Sequence, residues 1–176
     1  LLKSSRKLSE QILIAETLAI DLDPYKRQIV INKGLPSGVY SGQPILDAHG
    51  IMGQVIHPGI ASSTAILITD PSHAIPVQVN RNGLRSVLYG TGEANLLELQ
   101  NLPNNADIEV GDLLISSGLG GRFPEGYPVA VVIDIKRDPG QPFAKIIAEA
   151  AAHLDQSREV LLVVTKPTES TKAVTP

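Results

Sequence analysis

A mostly β protein of two lobes, barrels or sandwiches behind a short N-terminal helix, is the fold class this sequence predicts. Three observations lead there. From Gln28 onward, short apolar runs alternate with Gly, Pro, Asn and Asp turns at a spacing of roughly 8–12 residues. No strand–helix alternation of the doubly wound kind interrupts them. The composition, 43% hydrophobic but only 3% aromatic, furnishes an aliphatic core of Val, Ile, Leu and Ala. A chain of 176 residues fits one large β domain or two small ones and buries roughly 70% of its unfolded surface, so it needs no metal or disulfide staple.

The first element is the expected helix over residues 1–22. Leu1, Ser5, Leu8, Ile12, Ala15 and Ala19 follow alternating steps of four and three, the seam of a heptad repeat, while Lys3, Arg6, Lys7, Glu10 and Glu16 fall off it. The pattern reads as the end of a coiled coil, with Leu1, Leu8, Ile12, Ala15 and Ala19 as dimerisation positions. An amphipathic helix lying on its own domain is the other reading. Asp23-Pro24 ends the segment, because proline biases the residue before it to extended geometry.

Strands are predicted at Gln28–Asn32, Pro44–Asp47, Ile51–His57, Ala65–Thr69, Ala74–Val79 and Arg85–Gly90. Ala48-His49-Gly50 between the second and third is a hairpin signal. The second half offers Leu96–Leu99, Asp112–Ser116, Val129–Lys136, Phe143–Ala148 and Val160–Thr165. The lobe boundary is expected in Gly90–Ala94, giving a first barrel lobe over 23–93 and a second over 94–166. Residues 167–176, rich in Thr, Pro and Lys, read as a disordered tail.

Composition also excludes functions. Fifteen basic against 18 acidic residues give a net charge of −3, without the basic excess that tracking phosphates requires or the exposed rings that stack bases. No nucleic acid is expected as a partner, and no Lys/Arg block reads as a membrane patch. Cysteine is absent, which removes disulfides and thiolate metal sites. The chain begins at Leu1 inside a helical pattern and is read as a fragment of a longer protein.

The richest loop is Ser116-Ser-Gly-Leu-Gly-Gly-Arg-Phe-Pro-Glu-Gly126. Phe123 stands where a dinucleotide fingerprint needs its last glycine, and strand follows instead of helix, so a phosphate cradle is excluded. Glycines at positive φ in a shaped connection explain it better. His49, His57 or His73, then Asp107 or Asp112, then Ser116 or Ser117 run in His–Asp–Ser order. The serine lacks a Gly-Asp-Ser-Gly-Gly setting, so no catalytic residues are assigned. His49, His57, His73 and His153 form no metal-binding spacing, and Asp70-Pro71-Ser72 is a turn former in its own right. No cofactor and no metal site are expected.

Five segments in order carry a resemblance: Val39–Leu46, Gly50–Val55, Leu67–Val77, Asp107–Leu114 and Ser116–Gly126. Together they resemble the rod shape-determining MreC family over Tyr25 to Val164. The motif positions are Asp70, Pro71, His73 and Pro76 in the third segment and Gly111 and Asp112 in the fourth. The fifth supplies Ser117, Gly118, Gly120, Gly121, Phe123, Pro124 and Gly126, with Ser116 where such proteins often carry Thr. The resemblance implies two small β-barrels of chymotrypsin-like topology without a working triad. It implies a non-enzymatic periplasmic scaffold of peptidoglycan elongation, anchored to the inner membrane in the full-length protein. Its implied partners are the class B penicillin-binding transpeptidase, MreD, RodZ, the MreB filament and further copies of itself. A generic extracytoplasmic interaction module and a protease-like hydrolase are the alternatives. Phe123 is expected to plug a lobe core; the competing reading makes it an exposed anchor for the transpeptidase.

Overall fold

The computed structural model describes residues 12–164, whose regular structure is strand apart from two single-turn 3-10 helices at Leu35–Ser37 and Leu119–Gly121. The strands are β1 (Ile12–Asp23), β2 (Lys26–Ile31), β3 (Pro44–Leu46), β4 (Ile51–Pro58), β5 (Ser63–Leu67), β6 (Ala74–Val79), β7 (Arg85–Gly90), β8 (Leu96–Gln100), β9 (Leu113–Ser116), β10 (Pro128–Lys136), β11 (Lys145–Ala150) and β12 (Glu159–Val163). They close into two six-stranded antiparallel barrels. The ring order is β1-β12-β3-β4-β5-β2 in the first barrel and β10-β11-β8-β7-β6-β9 in the second. Closure leaves no sheet edge for further strand pairing. Counted from β12 as its first strand, the first barrel repeats the ring order of the second.

Alternation places the cores. Ile29 and Ile31 of β2, Ala65 and Leu67 of β5, and Val160 and Leu162 of β12 are buried in the first barrel. Ile75, Val77 and Val79 of β6, Leu97 and Leu99 of β8, and Ile146 and Ala148 of β11 do the same in the second. Each of these Val, Ile and Leu side chains contributes about 1.5–3 kcal/mol on leaving water.

Two expectations are corrected. Residues 12–22 are strand, not helix: β1 pairs with β12 from Ile12↔Val163 to Glu16↔Glu159 and with β2 from Thr17↔Ile31 to Asp23↔Lys26. Barrel closure needs this strand, and β-branched Ile12, Ile14, Thr17 and Ile20 suit it. Ala15 points into the core at 1% exposure and is no dimer contact, whereas Ile12 and Ala19 are exposed. Leu1 and Leu8, like the expected tail, lie outside the described residues. Second, the chain passes between barrels in residues 68–73, between β5 and β6, so Gly90–Ala94 is a loop within the second barrel. The last strand, β12, returns to complete the first barrel, so the two barrels do not divide the chain into successive halves.

Candidate functional site: the seam between the barrels

The linker Thr69–His73 is held from both sides. Asp70 accepts hydrogen bonds from the Arg27 amide (2.9 Å), the Ser72 amide (2.8 Å) and Ser72 Oγ (2.7 Å). Burial works to raise its pKa, but these bonds and the neighbouring His73 win and hold it below the usual carboxylate value. Arg27, buried on β2, donates from Nε to Thr69 Oγ1 (3.1 Å) and from Nη1 to Leu22 O (3.2 Å) and Gly92 O (3.0 Å). One side chain of the first barrel thus bonds the linker and a loop of the second. Gly90 lies so close to the backbone of Thr69 and Asp70 that a Cβ there would overlap the Asp70 carbonyl.

His73 is 4% exposed. Its Nε2 lies 2.9 Å from Gln54 Oε1 of β4, and its ring meets Phe123 edge-on at 6.0 Å between centroids. Nδ1 has no hydrogen-bond partner among the described residues. Burial pushes the imidazole pKa down to about 4, with Asp70 pulling weakly the other way. The neutral ring therefore joins first-barrel Gln54 to second-barrel Phe123.

Phe123 reaches this point because its loop is shaped to deliver it. Gly118, Gly120, Gly121 and Gly126 have φ between 71° and 90°, a region that other residues enter at a cost. Ser116 Oγ donates to the Pro124 carbonyl and accepts from the Tyr127 amide, and the Gly126 amide donates to Ser116 O. The Ser117 amide donates to Pro76 O at 3.2 Å. Phe123 is 5% exposed, in the core rather than at the surface. Pro71 is exposed. Gly111 and Asp112 belong to a different cluster, where Asp112 binds Arg81 through Nε and Nη2, each at 3.0 Å. Those bonds lower the Asp112 pKa.

A second contact closes the seam. The buried Asp47 carboxylate accepts from the His49 (2.7 Å) and Gly50 (3.0 Å) amides of its own hairpin. It also accepts from the His153 amide and Ser157 Oγ, both at 2.7 Å, in the β11–β12 connection. Gly50 abuts the Pro128 carbonyl and Ala151. Arg27, Gln54, Asp47 and Gly90 were not singled out from the sequence. For Arg27 a signal existed: it shares the parity of Ile29 and Ile31, so it points inward.

No catalytic triad is assembled among the described residues. Ser116 and Ser117 Oγ bond within their own loop, Asp107 and Asp112 hold Arg81, and the His73 ring meets Gln54 and Phe123. Incubation with a fluorophosphonate is expected to leave Ser116 and Ser117 unlabelled by intact-mass spectrometry, since neither hydroxyl has an adjacent base. Stoichiometric labelling of either would reveal an activated nucleophile. No group of three metal-ligating side chains is present among the described residues, nor any helix long and apolar enough to cross a membrane.

Comparison with known proteins matches residues 18–164 to the family described as rod shape-determining protein MreC, barrel core. The cell shape-determining protein MreC of Haemophilus influenzae is 49% identical over 163 residues, covering 93% of this chain and 46% of that protein. The chain spans about half the length of the curated relatives it matches. A crystal structure of MreC from Pseudomonas aeruginosa superposes with a TM-score of 0.85 at 50% identity, covering 88% of this chain and 99% of that one. A chain from the complex between a penicillin-binding protein and MreC from Helicobacter pylori has a TM-score of 0.63. It is 17% identical and covers 89% of this chain and 100% of that one, so the likeness extends to the fold alone. With the family match spanning the described barrels and relatives near half identity, this chain belongs to the MreC family.

Proposed function

We propose that this chain is the barrel part of a non-enzymatic periplasmic scaffold, which binds the class B penicillin-binding transpeptidase and holds it in the machinery of peptidoglycan elongation. The observation that carries this reading is the seam: the buried polar side chains of Arg27, Asp47, Asp70 and His73 fix the two barrels to one another, and no catalytic triad is assembled among the described residues. A rigid pair of barrels presents a preorganised surface, which lowers the entropic cost of docking a partner. The Helicobacter pylori relative, solved with a penicillin-binding protein, supports the choice of partner. Exposed Ile12, Ile14 and Leu18 on the outside of the first barrel offer apolar contact area.

Anchoring of the parent protein to the inner membrane, contacts with MreD, RodZ and MreB, and self-association aided by Leu1, Leu8, Ile12 and Ala19 belong to the same proposal. Biolayer interferometry against the periplasmic part of a class B transpeptidase is expected to give saturable binding. Ile14→Asp with Leu18→Asp should weaken it at least tenfold while leaving the melting temperature within about 2 °C, because exposed substitutions cost little stability. Folded protein that shows no binding at high micromolar concentration would remove the transpeptidase from the reading.

A further inference from the structure

His49 and His153 lie far apart in the chain, yet their rings stack with centroids 3.9 Å apart and planes 18° from parallel. His49 is at the tip of the β3–β4 hairpin of the first barrel; His153 is in the connection that leaves β11 of the second barrel and enters β12 of the first. Both side chains are exposed, at the rim of the contact whose buried part is Asp47. Beneath the rings, Asp47 bonds the His49 and Gly50 amides on one side and the His153 amide and Ser157 Oγ on the other. Beside them runs an open groove of about 410 Å³, lined in part by Asn95, Glu149, His153 and Asp155.

We propose that the stacked His49–His153 pair is a proton-operated latch on the inter-barrel seam, closed when at most one imidazole is charged and loosened when both are. Histidine changes charge between about pH 5 and 8, the range over which a compartment open to the surroundings varies. The charged groups nearest the contact are Asp47, which bonds the His49 and His153 amides, and Glu149 and Asp155, which line the groove together with His153. An imidazolium stacked on a neutral ring remains attractive. A second proton sets two like charges at the ring separation, where repulsion acts directly across the hairpin–connection contact. The connection carries β12 into the first barrel, so loosening it frees the first barrel's hairpin from the Pro128 carbonyl at the start of β10 in the second.

Amide hydrogen exchange on the intact chain reads the latch. Protection at the Gly50 and position-153 amides, corrected for intrinsic exchange and referenced to the Ile29 amide of β2, is expected to fall at least tenfold between pH 7.5 and 5.5. His49→Phe and His153→Phe each keep an aromatic stack but remove the second charge, and each should abolish the fall. His57→Phe, at an exposed position near the end of β4, should retain it. Unchanged protection in the native protein across that range, or the same fall in both stacked-position variants, overturns the proposal. His73 in the folded protein stays neutral across this window, because burial holds its pKa at about 4, and the global loss of stability from its titration in the unfolded chain affects the Ile29 reference equally.

Discussion

Phe123→Ala is expected to destabilise the protein by roughly 3–5 kcal/mol, the usual cost of truncating a buried phenylalanine. For a chain of this size that corresponds to a fall in melting temperature on the order of 10 °C. The ring is 5% exposed, and its burial is imposed by the glycine turns and Pro124 on either side, so the loop cannot easily collapse into the space left behind. Phe123→Leu retains most of the volume and should cost about half as much. Thermal and urea denaturation of the two variants check both values. An unchanged melting temperature accompanied by lost transpeptidase binding would mean that the residue faces a partner after all. The substitution should also have an indirect effect. Phe123 is the edge-on neighbour of His73, so its removal admits water to that imidazole and should restore part of the proton affinity that burial has taken away.

The strands were legible for a simple reason: their turns are local. Gly, Pro, Asn and Asp mark where each run stops, and the predicted Ala74–Val79 and Arg85–Gly90 coincide with β6 and β7. β1 was hidden by two features. A bulge between Thr17 and Ala19 breaks its period of two. Its outward positions also carry Ile12, Ile14 and Leu18, which erases the polar half of the alternation. What remains imitates a heptad seam, and only the demands of closing a barrel against β12 and β2 decide for strand. The seam was illegible in a different way. Its bonds join Arg27 to Asp70 and Gly92, and Asp47 to His153, over separations of 43, 65 and 106 residues. No local pattern encodes such pairings. The motif loops were visible, but their meeting through His73 and Phe123 depends on the topology that brings β4, the linker and the glycine loop to one point.

Acid should weaken this seam through His73 specifically. The imidazole has an ordinary value of 6.5 and is pushed down to about 4 by burial, so the unfolded chain takes up a proton at a pH where the folded protein does not. The contribution is therefore complete above pH 6.5, is lost progressively as pH falls toward 4, and levels off below that. The full difference is about 3 kcal/mol, most of it gone by about pH 4.5. His73→Gln can still donate toward Gln54 but carries no titrating group. It should be less stable than the native protein at pH 7, through lost contact with Phe123, and should approach or overtake it at pH 4.5. Asp70 does not mimic the effect. Its hydrogen bonds from Ser72 and Arg27 hold its pKa below the ordinary 3.8, so its own contribution fades only at more acid pH. The measurement is the difference in unfolding free energy between the two proteins at pH 7 and pH 4.5, taken from urea titrations. If both lose stability in parallel, the buried imidazole is not the acid-labile element, and the carboxylates at Asp47 and Asp112 become the groups to test. If the gap closes, the buried neutral His73 ring is the acid-labile element of the seam.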